Sequence, residues 1–275
     1  MGQNLSVGSV PYLVGRPVDL TLGNEPGISF AREVPARLVE GLRNGRIDAA
    51  LVSSIELFRQ PGYRYIAGPC VAGHGYVGSV QVFLRKPLAE IEAIAMDPAS
   101  RTAATLVRCL LADHPERAGG PPEYIELEAG ADPRAAGTDA WLSIGDRALR
   151  DALADDARPV FNPSEEWVRR TGRPFVFAAW IVRPDADIAA HLGAFERAAS
   201  QGNKRIGALA QEAAERWGVP PKAALEYLAS ECTYDVSTEM HASLLAFRDL
   251  AAPLGLCAAE LEPTPIKLTG RECLS

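Results

Sequence analysis

Apolar positions along the chain switch repeatedly between two periods, and the switch points mark its elements. Ala93 to Met96 is an unbroken apolar run, as a strand buried on both faces requires, and Asp97-Pro98-Ala99 ends it. Directly after it Ala103, Leu106, Val107, Leu110 and Leu111 fall at i, i+3, i+4, i+7 and i+8. That spacing is one apolar face of a helix packed back on a sheet, with Ser100 placed as its N-cap. The same order of strand and then polar turn recurs along the chain. Residues 5–10 form a short strand that opens into Pro11-Tyr12-Leu13-Val14-Gly15-Arg16-Pro17, where two prolines and a glycine break regular structure. Residues 47–52 form a strand followed by Ser53-Ser54 and a short helical piece. Residues 79–84, 124–128, 140–144 and 175–182 read as further strands, the third running through Gly145-Asp146 into a helix over 147–153. Helices are predicted at 30–44 and 162–172, a Gly-rich loop at 61–78, and four closing helices at 188–200, 204–217, 222–230 and 238–250 with no strand until the tail.

This rhythm predicts an α/β protein of two lobes, residues 1–85 with 179–275 and residues 86–178, joined by crossing segments near Leu84 and Ala178. Ligands of open α/β sheets lie beyond the carboxyl ends of strands, so the turns after these strands are the candidate site. A helix entered from a strand points unpaired N–H groups and the positive end of its dipole there. Ser100, Arg101 and Thr102 add two hydroxyls and a cation, a receiver for a carboxylate or phosphate, although a plain Ser cap beside an exposed Arg fits the same residues. Tyr12 is either an aromatic wall of the site or a ring tucked under its loop. Gly145 permits a tight turn and Asp146 reads as a helix cap, and because they follow a strand both also count among the candidate substrate-binding residues.

Composition narrows the chemistry. The 275 residues are 47% hydrophobic and carry a formal charge of −7, with no basic run, which argues against nucleic acid as a partner. An amino terminus without a basic, then apolar, leader and the lack of any 18-residue apolar stretch predict a soluble, cytoplasmic protein with no membrane partner. Cys70, Cys109, Cys232, Cys257 and Cys273 include no CxxC, so reduced thiols rather than a zinc site or a disulfide framework are expected. The doublets Glu126/Glu128, Asp155/Asp156 and Glu165/Glu166 read as solvated faces, and His74 as a surface loop histidine. GxGxxG after a strand, GxxxxGK, HExxH and GxSxG are all missing. What remains is a cleft suited to a small anion.

Several stretches taken together carry a resemblance: VGSVPYL near the amino end, GRIDAALVSSIELFR from Gly45, SVQVFLRKPLAEIEAIAMDPASRTAATLVRCLL from Ser79, IGDRAL from Ile144 and EEWVRRTGRPFVFAAW from Glu165. In this order the chain resembles the MqnA/MqnD family over residues 4–250, and within it the chorismate dehydratases of the futalosine route to menaquinone. The resemblance implies a two-lobe periplasmic-binding-protein type II fold with a central cleft. It also implies conversion of chorismate to 3-[(1-carboxyvinyl)oxy]benzoate with loss of water and no metal or organic cofactor. The sister branch, which makes 1,4-dihydroxy-6-naphthoate, carries a Thr-rich turn where this chain has Ser100-Arg101-Thr102. On this reading Arg101, Thr102 and the amides of their helix hold one substrate carboxylate, and Ser53, Ser54 and Ser79 the other. The substrate's own enolpyruvyl carboxylate is then a candidate base. One position departs from the family: the loop that usually reads YLN is Tyr12-Leu13-Val14 here. Valine offers the ring no hydrogen bond, so either another residue such as Arg16 or His74 replaces it, or the protein binds a small carboxylate without turnover.

Overall fold

Twelve strands among the described residues divide between two sheets; the computed structural model describes residues 4–117, 119–154 and 158–268. In chain order the strands are β1 (Leu5–Ser9), β2 (Ile28–Arg32), β3 (Ala49–Ser53), β4 (Arg64–Gly73), β5 (Val80–Leu84), β6 (Ala93–Met96), β7 (Glu123–Glu126), β8 (Ala140–Ile144), β9 (Val160–Phe161), β10 (Phe175–Val182), β11 (Cys232–Asp235) and β12 (Thr264–Ile266). The helices are α1 (Arg16–Asp19), α2 (Pro35–Arg43), α3 (Thr102–Leu111), α4 (Gly145–Ala154), α5 (Pro163–Thr171), α6 (Leu192–Lys204), α7 (Ile206–Trp217), α8 (Pro221–Glu226) and α9 (Met240–Ala251). The first sheet runs β11-β4-β10-β3-β1-β2 with β12 beside β4, and the second runs β7-β6-β8-β5-β9. Each mixes parallel βαβ pairs with antiparallel neighbours: β1 lies parallel to β2 and β3, and β6 to β7 and β8, whereas β10 and β5 run antiparallel to their neighbours. The two-lobe α/β architecture expected from the strand and helix rhythm is present.

Four local readings are corrected. Residues 30–32, taken as the start of a helix, belong to β2 and pair in parallel with β1, and the helix begins only at Pro35. Proline is favoured in a first helical turn and forces the residue before it, Val34, into extended backbone, so the break lies there. The Gly-rich loop hides β4, a ten-residue strand inside the first sheet whose Gly68 and Pro69 sit at register irregularities. Glycine and proline at a bulge erase the alternation that marks a strand. β11 forms between two of the predicted closing helices, where no strand was expected, and lies on the outer side of β4, as does β12 in the tail. Finally β5, read with the first lobe, pairs Val82 with Leu142 and Phe161 in the second sheet. The chain therefore leaves the first sheet between Gly73 and Val80 and re-enters it at Phe175, so both crossings come earlier than the sequence suggested.

The periodic face of α3 is buried as its spacing predicts: Leu106, Val107, Leu110 and Leu111 are fully enclosed. Trp167 of α5 packs edge-on against Phe175 of β10 at 5.1 Å, and Phe175 against Phe247 of α9 at 4.9 Å. This aromatic cluster joins the second-lobe helix α5 to the first sheet close to the returning crossover, where such rings contribute most through buried area. Cys70, Cys109 and Cys232 are buried free thiols and Cys257 is half-buried; Cys273 lies outside the described residues, as do Asp155 and Asp156.

Candidate functional site

A cavity opens between the lobes where segments from both sheets meet. Its walls come from the turn after β1 (Val10, Tyr12, Val14), the end of β3 (Ser53), the crossing into β5 (Val77, Ser79, Val80), the β6–α3 turn with the start of α3 (Ala99 to Ala103), the β8–α4 junction (Ile144, Gly145) and, from the back, Val71, Phe177 and Cys232. Of the residues singled out in the sequence, Tyr12, Ser53, Ser79, Ser100, Arg101, Thr102 and Gly145 all line it, and so does Val14. Segments as far apart as residues 12 and 145 thus converge on one space.

The β6–α3 turn is held by Asp97. Its carboxylate accepts from the Ala99 amide at 3.0 Å, the Ile144 amide at 3.1 Å and the Arg147 guanidinium at 2.6 Å, fixing the turn against β8. Ser100 keeps a capping bond, accepting from Ala104 N–H at 3.1 Å, although α3 itself begins at Thr102 with Arg101 in the N-cap position. Thr102 crosses the gap: its Oγ1 accepts from the Ile55 amide at 3.3 Å. Arg101 crosses it too, donating to Glu56 at 3.0 Å. Its side chain remains 35% exposed and lines both the cavity and a funnel that adjoins it.

Two expected residues have other duties. Ser54 is fully buried and donates to the Val176 carbonyl at 2.6 Å, tying the end of β3 to β10; it does not line the cavity. Asp146, read as a cap of its own helix, instead accepts from the Leu13 amide of the opposite lobe at 3.2 Å and lines the funnel. Burial raises its carboxyl above the ordinary range. Tyr12 lies over Gly145, whose φ of +69° and missing side chain let the ring approach: a Cβ there would stand 3.3 Å from the Tyr12 ring. Burial first, then Asp97 and Asp146, raise the Tyr12 phenol. Burial likewise pushes the Cys232 thiol up to about 12. His74 is exposed, and neither it nor Arg16 lines the cavity.

Glu56 was missed. It lies in the short turn after β3, fully buried, yet it carries the ion pair to Arg101. The signal was a lone carboxylate inside the apolar run Ile55-Glu56-Leu57-Phe58, because such a group is buried only with partners. The apolar back wall was missed as well, since β4 had been read as loop. Among the described residues no group of three His, Cys, Asp or Glu is placed to hold a metal ion, and no helix is long and apolar enough to cross a membrane.

With this geometry in hand, comparison with known proteins is decisive for the family. Residues 5–253 match the family model described as menaquinone biosynthesis. The chain belongs to that family. A chorismate dehydratase of Thermus thermophilus is 32% identical to this menaquinone-biosynthesis family member over 241 residues, covering 79% of this chain and 87% of that protein. A solved structure from Archaeoglobus fulgidus superposes with a TM-score of 0.74 at 15% identity, covering 92% of this chain and 98% of that one. A Candida albicans protein described as having the generic periplasmic binding protein fold superposes with a TM-score of 0.56 at 12% identity, covering 99% of both chains. The family member therefore has the two-lobe periplasmic-binding-protein fold, its cavity lying between the lobes.

Proposed function

We propose that this member of the menaquinone-biosynthesis family is a chorismate dehydratase that forms 3-[(1-carboxyvinyl)oxy]benzoate, a carbon–oxygen lyase acting on a small anionic substrate. The observation that carries the reading is the convergence of Arg101, Ser53, Ser79, Ser100 and Thr102 on an inter-lobe cavity with hydrocarbon walls, in a chain 32% identical to a chorismate dehydratase. A ring bearing two carboxylates needs both features. Arg101 and the amino end of α3 receive one carboxylate through charged hydrogen bonds, and the serine hydroxyls receive the other. Val10, Val14, Val80 and Phe177 supply dry surface for the ring.

Among the described residues that line the cavity, none carries a carboxylate, an imidazole or an amine. The two titratable acids present, Tyr12 and Cys232, are both pushed up, so at neutral pH each keeps its proton. The base for the C3 proton is then the substrate's enolpyruvyl carboxylate. As that proton leaves, the C3–H electron pair forms the ring double bond and the C4 hydroxyl departs, leaving an aromatic ring and one water. Aromatisation supplies the driving force; the protein contributes orientation and exclusion of solvent. Val14 adds hydrocarbon where the resembled family has an amide, so the departing hydroxyl is met by one of the Ser or Thr hydroxyls.

Incubation with chorismate, followed in the ultraviolet, tests the reading. Appearance of the aromatic product supports it, and saturable binding with no product would leave a carboxylate receptor in its place. Chorismate esterified at the enolpyruvyl carboxylate should give no product. Turnover of the ester at the parent rate would remove the substrate-assisted step.

A further inference from the structure

We infer that Glu56 is a positioning residue: reaching across the inter-lobe gap, it holds the Arg101 guanidinium in the orientation in which it receives a substrate carboxylate. The inference rests on the chorismate reading of the same cavity. Glu56 is fully buried and meets three guanidinium groups, those of Arg43 at 2.7 Å, Arg59 at 3.2 Å and Arg101 at 3.0 Å. Arg43 and Arg59 belong to the first lobe with Glu56, while Arg101 comes from the second. Arg59 also reaches across, its Nη2 lying 3.4 Å from Thr105 Oγ1 on α3, and Thr105 in turn donates to the Arg101 carbonyl at 2.9 Å. The amino end of α3 is therefore bound to the first lobe through three side chains, those of Arg101, Thr102 and Thr105.

The charge balance explains how an ion-paired arginine still attracts an anion. Three cations share one carboxylate, so two positive charges remain, and only Arg101 of the three lines the cavity. Its Nη1 is taken by Glu56, which fixes the plane of the guanidinium and directs the rest of the group toward the cavity. An arginine so anchored loses less side-chain freedom when ligand arrives than a free one would. Because the anchor belongs to the other lobe, the contact forms only when the lobes are together, and closure and carboxylate capture become one event.

A double-mutant cycle between Glu56→Gln and Arg101→Ala tests this, read as chorismate kinetics. Alone, Glu56→Gln should lower kcat/KM by about 10- to 100-fold, as a displaced binding group does, with the loss falling chiefly on KM. On the Arg101→Ala background it should cause no further loss. Glu56→Asp, which keeps the charge, should recover part of the activity, and it carries the same cycle if Glu56→Gln fails to fold. A merely structural Glu56 would give losses that multiply in the double variant, and that result, or unchanged kinetics in Glu56→Gln, overturns the inference. If the wild-type protein forms no product from chorismate, the function reading fails. Calorimetric binding of isophthalate, an inert ring with two carboxylates, then reads the same cycle. Failure to bind either ligand overturns both.

Discussion

Two of the concave regions among the described residues differ in how their polar side chains are partnered, and the one richer in acid and base groups is not the one we propose as the site. A groove on the second lobe is lined by His114, Glu116, Glu165, Glu166 and Arg169, whereas the inter-lobe cavity offers one guanidinium and a few hydroxyls. In the groove, however, the buried carboxylate is already paired. Glu166, read from sequence as part of a solvated doublet, is buried; it accepts from Arg169 at 2.7 Å and Arg170 at 2.6 Å, and His114 stands 3.7 Å away. Burial acts to raise the Glu166 carboxyl, but the two arginines outweigh it and the net direction is down. All of these residues come from the second lobe. The cavity instead gathers groups from both lobes, and three guanidinium groups share the single Glu56 carboxylate behind it; the proposed function takes that surplus as the feature an anionic ligand would complete. Self-satisfied polar clusters hold a fold together; a surplus at a junction recruits a partner.

The largest effect is expected at Arg101. Arg101→Ala should weaken dicarboxylate binding by about 1.5 to 3 kcal/mol, the value of a hydrogen bond to a charged group, while Arg169→Ala should leave it alone. Titration calorimetry checks both, and unchanged affinity in Arg101→Ala would break the contrast. Next comes Glu166→Gln, which should lower stability by about 1 to 3 kcal/mol by unpairing buried polar groups, without altering chorismate kinetics. Its pH dependence sharpens the point. The folded carboxyl titrates below its unfolded value, so its contribution is present above the unfolded pKa and is lost as pH falls through the folded one. Denaturant midpoints measured from neutral to acid pH should therefore fall less steeply in the Gln variant than in the wild type. Ser54→Ala should cost about 1 kcal/mol of stability through the lost bond to Val176, with chorismate affinity retained because that hydroxyl points away from the cavity. Smallest is the exposed Glu165→Ala, expected to stay within about 0.5 kcal/mol in thermal melts.

Much of the cavity lining was legible because it follows strands. The segments after β1, β3, β6 and β8 carry polar or glycine residues, and local periodicity places each strand end to within a residue without knowledge of the rest. Asp146 and Ser54 were read in the right turns but with the wrong duties, since a short polar side chain at a turn bonds its own helix or a distant backbone with equal ease. β4 escaped because Gly68 and Pro69 interrupt its pattern, and with it went the apolar back wall.

The sequence alone determined the alternation of strands and helices, the placing of Ser100, Arg101 and Thr102 in the turn between a strand and a helix, and membership of a family whose pattern spans most of the chain. Those properties are local or additive along the polypeptide. Tertiary structure decided which sheet Val80 to Leu84 joins, that Glu56 reaches Arg101 across the gap, and which of two polar hollows retains unbalanced charge. The sheet that Val80 to Leu84 joins and the Glu56–Arg101 contact depend on pairing between residues 45 or more positions apart, where no short-range spacing carries a signal.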